Sequence, residues 1–372
     1  MSANQTKYPQ LRFKGFTDPW EERKLADVVS ISAGGDVDKT KLIEDGGYPV
    51  LANALTNSGI VGYYDSYKVE APAVTVTGRG DVGHAVARHV NFTPVVRLLS
   101  LKSEVLDADF LANMLNQTNI LVESTGVPQL TAPQLGSYKI LYPNLNEQTK
   151  IGKLLNAFDN LIALHQRKLA KLKELKQGYL QKLFPENGSK FPQLRFAGFA
   201  DAWEQRKTKE LCDISTGKGN TQDKVEDGKY PFYVRSATIE RSNEYLYDQE
   251  AVLTVGDGVG TGKVFHYVNG KYNLHQRVYR MFNFNHGVSA KYFYHYFSKN
   301  FYRRVMSMTA KTSVDSVRME MIADMKIKFP SPAEQETIVS VLDGVDDTIT
   351  LHQRKLEKLQ ELKKGYLQKM FC

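Results

Sequence analysis

Two stretches of the chain carry the same apolar stripe. Stepping by three and four residues from Leu155 lands on Phe158, Ile162, His165, Leu169, Leu172, Lys176, Tyr179 and Leu183, and seven of these nine positions are apolar. Adding 187 gives Leu342, Val345, Ile349, His352, Leu356, Leu359, Lys363, Tyr366 and Met370, with His and Lys at the same two steps. A stripe sustained for about four heptads predicts a coiled-coil seam. The helices have marked starts: Asn144 is placed to cap the first, and Ser331-Pro332-Ala333-Glu334 reads as a capping box in which Glu334 reaches back. His165 and His352 have no acidic or Cys partner at ligand spacing, so they read as polar seam residues that fix register. Gly178 and Gly365, each costing about 1 kcal/mol relative to Ala, either admit close helix approach or loosen the last turn.

Elsewhere the pattern shortens to runs of four to six residues rich in Tyr, Thr and Val, the period of strands. Ala73–Thr77 precedes Gly78-Arg79-Gly80-Asp81-Val82-Gly83, and Ala251–Val255 precedes Gly256-Asp257-Gly258-Val259-Gly260-Thr261-Gly262. The first matches G-x-G-x-x-G, but the short alternating run after Gly83 ends at Pro94 and is no cofactor-binding helix. The second breaks that spacing at Thr261, and Val264 stands where a P-loop needs Ser or Thr. Both read as strand, Gly loop, strand. Helical patterns follow at 109–121 and 290–305, so each intervening module is expected to be α+β with a mainly antiparallel sheet.

The chain is written twice. Pro9–Lys24 and Pro192–Lys207 share twelve of sixteen residues, and Leu154–Phe184 and Val341–Phe371 share 20 of 31. The segments between have diverged. Residues 1–143 are expected to form a first module, 144–184 a first spacer helix, 185–330 a linker and second module, and 331–372 a second spacer helix. Because helix two must pack on helix one to bury its stripe, it should run back antiparallel, giving pseudo-twofold symmetry with one module at each end. The 29 residues from Leu155 to Leu183 would span roughly 43 Å, close to the ~34–36 Å spacing of DNA half-sites.

Composition narrows the classes. The chain has 372 residues, 42% hydrophobic and 24% charged, an ordinary globular profile. Its two cysteines, Cys212 and Cys372, exclude a disulfide framework and a Cys-rich zinc site and suit a reducing cytosol. Neither a signal peptide nor a membrane span is expected. The formal charge is +8. His165–Leu183 carries +5 and His352–Met370 carries +4, so the remaining residues sum to −1. The basic character belongs to the helices, whose charged face is either simply solvated, laid along phosphates, or turned to an acidic protein surface.

These features resemble the specificity subunit of type I restriction–modification systems. The resemblance rests on Trp20-Glu-Glu-Arg-Lys-Leu25 and Trp203-Glu-Gln-Arg-Lys207 opening two modules, and on Pro143…Glu147-Gln148…Ile151 and Pro330…Glu334-Gln335…Ile338 opening two helices. Thr208 stands where the first module has Leu25. The resemblance implies two target-recognition domains, each reading half of an asymmetric bipartite DNA site, with antiparallel helices measuring the gap. It implies a chain without catalysis that directs adenine methylation and restriction by partners: two methyltransferase subunits and restriction/translocase subunits. S-adenosylmethionine, ATP and magnesium would belong to those partners, the compartment would be the bacterial cytoplasm, and the chain itself would hold no metal or cofactor. The absence of an Asn-Pro-Pro-Tyr/Phe motif and of a Walker A sequence agrees with this. A coiled-coil adaptor that only joins proteins is the alternative, and a nucleotide-dependent enzyme using Gly78–Gly83 a more distant one. Candidate DNA contacts, chosen for chemistry near Gly-rich or polar loops, are Arg79, His84, Arg88 and Gln129 in the first module and Arg235, Lys263, Lys311 and Arg318 in the second.

Overall fold

A computed structural model of the chain describes residues 7–120, 128–186, 188–258, 260–308 and 316–371. It divides into two compact units, Met1–Arg167 with Gln353–Cys372, and Lys168–His352.

The first unit runs β1 (Glu21–Lys24), α1 (Leu25–Val28), β2 (Ser30–Ala33), β3 (Tyr48–Leu51), β4 (Ile60–Tyr64), β5 (Ala73–Thr77), β6 (Ala85–Arg88), β7 (Thr93–Pro94), β8 (Leu98–Lys102), α2 (Ala108–Gln117), α3 (Ala132–Gly136), β9 (Lys139–Tyr142) and the start of α4 (Leu145–Lys182). Its main sheet has the order β2-β8-β5-β6, all antiparallel; a smaller one, β4-β3-β7, contains a parallel pair, and β1 pairs with β9. Central β5 (AVTVT) is buried at every position, which explains why it reads as a continuous β-branched run rather than an alternating one. The Asp107 carboxylate caps α2 by accepting from the Asp109 and Phe110 N–H groups.

The second unit repeats this plan: β10 (Glu204–Lys207), α5 (Thr208–Leu211), β11 (Asp213–Thr216), β12 (Tyr230–Tyr233), β13 (Ile239–Ser242), β14 (Tyr247–Asp248), β15 (Ala251–Val255), β16 (Phe265–Val268), β17 (Lys271–Leu274), β18 (Val278–Phe282), α6 (Ala290–Ser307), α7 (Met319–Ala323), β19 (Lys326–Phe329) and α8 (Pro332–Met370). The main sheet is β11-β18-β15-β16, the smaller one β13-β12-β17-β14, and β10 pairs with β19. Both units are thus α+β, mainly antiparallel. Cys212 is buried, which pushes its thiol up to about 12 and leaves it inert.

The frame bonds are duplicated residue for residue. In the first unit the Arg12 guanidinium donates from Nε to Glu147 Oε1 (2.9 Å) and from Nη2 to Oε2 (2.7 Å). In the second, Arg195 does the same to Glu334 at 2.9 and 2.8 Å. Glu147 and Glu334 are buried, so these are desolvated bidentate pairs. Glu334 therefore does not close a capping box on its own helix, as its sequence suggests; its carboxylate is taken by Arg195. Asn144 does cap α4, accepting from the Glu147 N–H. The next residue is a second clamp. Gln148 accepts from the Asp107 N–H and donates to Val105 and Pro143 carbonyls, while Gln335 accepts from the Ser289 N–H and donates to those of Gly287 and Pro330. Each long helix is thereby tied to the cap of its module's own helix.

The far end of each helix enters the other half of the repeat. The Leu11 N–H donates to Lys369 O and the Leu194 N–H to Lys182 O, both at 2.8 Å. Phe371 packs edge-on against Trp20, and Phe184 against Trp203. Within the first unit Phe158 meets Tyr366 and Asp159 meets Lys363; within the second Lys176 meets Asp346 and Tyr179 and Leu183 share a core with Ile338 and Leu342. Partners descend along one helix as they ascend along the other, so the segments are antiparallel in each unit. Leu155, Leu169 and Leu183 are buried with Phe158, Ile162, Leu172 and Tyr179 half-buried between them. Leu342, Leu356 and Met370, with Val345, Ile349, Leu359 and Tyr366, repeat that order. The Lys interruptions of the stripe carry ion pairs to Asp159 and Asp346. Nothing lies within 4 Å of a Cβ added at Gly178 or Gly365, so neither admits a close helix approach.

Candidate nucleic-acid interface

Each Gly loop leaves its main sheet at the end of the inner strand pair. Pairing of β5 with β8 sets Thr77 opposite Leu98, and pairing of β15 with β18 sets Val255 opposite Val278. That register carries Gly78 to Arg97 and Gly256 to Arg277. The approach is tight: a Cβ on Gly78 would stand 2.3 Å from Arg97 O, and one on Gly256 2.6 Å from Arg277 O. Glycine is required there by space. Leu130 and Val317 close the rim: the Leu130 N–H donates to Gly78 O and the Val317 N–H to Gly256 O.

In the first module this rim gathers Arg79, Arg97 and Gln129. Arg79 and Gln129 form an isolated antiparallel bridge, and Arg97 Nη1 donates to Gln129 Oε1 at 2.7 Å. Arg97 has φ of +70°, a left-handed conformation costly for a side chain of this size. Asn53 ties the loops together, accepting from the Gly78 N–H and donating to Val96 O. His84 is exposed where the loop enters β6. Arg88 turns inward: Nε donates to Thr75 Oγ1 and Nη1 to Ser58 O, and burial lowers its pKa.

In the second module Asp257 occupies the place of Arg79. Its carboxylate faces Arg235 Nη1 and Arg277 Nε, each at 3.7 Å, too far for a hydrogen bond. Asp257 Oδ1 is buried without a hydrogen-bond partner among the described residues. Asp257, Gln276, Arg277, Ser316 and Arg318 line an open cavity of about 370 Å³. His275 backs this rim: its Nδ1 accepts from the Arg277 N–H, and burial, then the nearby Arg235 charge, lowers its pKa. It is held as a neutral acceptor. Lys263 stands apart, its Nζ 4.6 Å from the Tyr302 ring centroid. Lys311 lies outside the described residues, as do 121–127.

The structure thus brings Arg79 to Gln129, Arg235 to Asp257, and Arg318 to the cavity that Asp257 lines. Arg97, Arg277, Asn53, Gln276 and Asp257 were not singled out from sequence. A usable signal was there: Arg97-Leu98 and Arg277-Val278 are matched Arg–aliphatic steps opening the duplicated strand. Among the described residues no His, Cys, Asp or Glu cluster could hold a metal ion, and no helix is long and apolar enough to cross a membrane.

Two unlike polar rims on two matched helical frames define a duplicated recognition scaffold. The chain belongs to the family of the type I restriction modification DNA specificity domain, whose model matches residues 17–174 and 200–361. It is 25% identical over 296 residues to the type I restriction enzyme MjaVIII specificity subunit of Methanocaldococcus jannaschii, covering 72% of this chain and 70% of that one. Its fold is that of the type I restriction–modification S subunit crystal structure from M. genitalium, with a TM-score of 0.77, 16% identity, and coverage of 98% of this chain and 99% of that one. A further solved structure, described as showing complex assembly and conformational transition of the type I system, has a TM-score of 0.50 at 15% identity, covering 96% of this chain and 98% of that one.

Proposed function

We propose that this chain is the sequence-reading, non-catalytic subunit of a type I restriction–modification complex, and that it recognises an asymmetric bipartite DNA site. The observation that carries the reading is that equivalent rim positions bear different side chains on frames whose bonds are duplicated. One scaffold then presents two different half-site readers. Arg79, His84 and Gln129 in the first module, and Arg235, Lys263, Lys311 and Arg318 in the second, supply donors suited to base edges and phosphates. The paired helices set the unread gap, and their basic faces add affinity that depends on salt and not on sequence. Two copies of one methyltransferase partner would dock on the duplicated frame and supply adenine methylation with S-adenosylmethionine; restriction/translocase subunits would supply ATP- and magnesium-dependent cleavage. The complex would act in the bacterial cytoplasm.

Footprinting of the chain together with its methyltransferase tests this. Two protected half-sites separated by an unread gap are expected; a protein adaptor would give no bipartite footprint. Inserting one heptad into both long helices is expected to change the gap and leave each half-site sequence as it was. A fixed gap would defeat the ruler.

A further inference from the structure

Structurally equivalent positions in the two rims fall into two kinds. Arg97 and Arg277 are the same residue at the same register, each beside a glycine that only a missing Cβ accommodates. Arg79 and Asp257, each immediately after that glycine, are opposite in charge. Gln129 and Ser316, the bridge partners of those two residues, also differ. A side chain retained in both readers suits a task common to both half-sites, while one that reverses charge suits the task that distinguishes them. Every half-site shares its phosphates, and only its bases differ.

We infer, on the reading of the chain as a bipartite DNA reader, that Arg97 and Arg277 are phosphate anchors and that Arg79 and Asp257 are base readers at matched points of the two half-sites. The geometry separates the roles. The Arg97 guanidinium is held by its Gln129 bond before DNA arrives, while Arg277 is fixed at its main chain by the bond of its backbone N–H to His275 and keeps an exposed guanidinium. The Asp257 carboxylate keeps one buried oxygen without a hydrogen bond among the described residues, and two arginines face the carboxylate at 3.7 Å, too far to satisfy it. A carboxylate acceptor at this position fits the exocyclic amino group of cytosine or adenine and rejects a carbonyl-bearing edge. Arg79 has the reverse preference and fits the O6/N7 edge of guanine. The second half-site is therefore expected to require an amino-bearing base where Asp257 reaches it, and the first a guanine at Arg79.

The test uses the full chain with its methyltransferase. Genomic methylation mapping first defines the bipartite site; synthetic duplexes carrying that site and its single-base variants are then titrated across salt concentrations. R97Q and R277Q are expected to weaken binding to all duplexes alike and to lower the log–log salt slope by about 1 each. R97K and R277K should restore the slope. D257N is expected to relax one position of the second half-site by roughly 10-fold in discrimination, with the salt slope unchanged. R79Q should do the same at one guanine of the first. A changed consensus in R97Q or R277Q, or an unchanged one in D257N, would overturn the division of roles. Failure to find any bipartite site would instead reject the underlying reading of the chain as a DNA reader.

Discussion

The frame and the rims have had opposite histories within one chain. In the frame, the clamping contacts of the first unit have twins in the second: Arg12–Glu147 with Arg195–Glu334, Gln148 with Gln335, Phe371 on Trp20 with Phe184 on Trp203. In the rims the backbone is retained while Arg79 gives way to Asp257 and Asn53 to Arg235. The same split reaches the sheet face behind the rims. Ser100 of β8 is replaced by Arg280 of β18, whose guanidinium lies over Tyr247 and Phe282 at 3.7 and 3.8 Å. The lesson is that duplication preserved what holds a module in place and released what the module shows to a ligand.

The largest effect should come from breaking a frame bond. Glu147→Ala leaves the half-buried Arg12 guanidinium without its carboxylate, and Glu334→Ala does the same to Arg195; each is expected to cost about 3 kcal/mol in denaturant unfolding. Because the two pairs lie in different units, the double variant should show additive losses. Strong coupling would mean the frame is not two independent clamps. Substitution within a rim should cost less stability and more function. Gly78→Ala forces a Cβ against Arg97 O and is expected to destabilise by about 1–3 kcal/mol while weakening DNA binding through the first half-site; Gly256→Ala should act on the second. Equal loss at both half-sites from either variant would contradict separate readers.

The gentlest contrast is with pH. His295 is buried against Asp343, and burial, partly offset by that carboxylate, holds its pKa below the ordinary 6.5. The folded form thus refuses a proton that the unfolded chain accepts, so this contribution is full above about pH 6.5 and is lost as pH falls through the lowered value. His266 is depressed by burial in the same direction. Among the described residues the first unit has no fully buried histidine. Hydrogen exchange should show the second unit losing protection before the first on acidification, and His295→Gln should narrow the difference. Simultaneous loss would show that other groups govern the acid limit.

Legibility in the sequence followed the range of the interaction. The seam from Leu155 to Leu183 was readable because its period is local, and the strand–loop–strand around Gly78 because its glycines and β-branched residues are adjacent. The role of Glu334 was misread because the local rule places its partner at Ser331, whereas the carboxylate is claimed by Arg195 from 139 residues away. Arg97 was missed for the same reason. It lies far along the chain from Gly78 and is brought there only by the pairing of β5 with β8. Arg88 reads as a loop residue because it follows the Gly loop, and its inward turn, with Nε on Thr75 and Nη1 on Ser58, comes from contacts 13 and 30 residues away.

The central claim, one frame presenting two independent readers, is tested most directly by replacing residues 25–140 with another recognition module and mapping methylated sites in cells that also carry the methyltransferase. The account predicts that one half-site changes while the other half-site stays as it was. A change in both halves, or in neither, would contradict it.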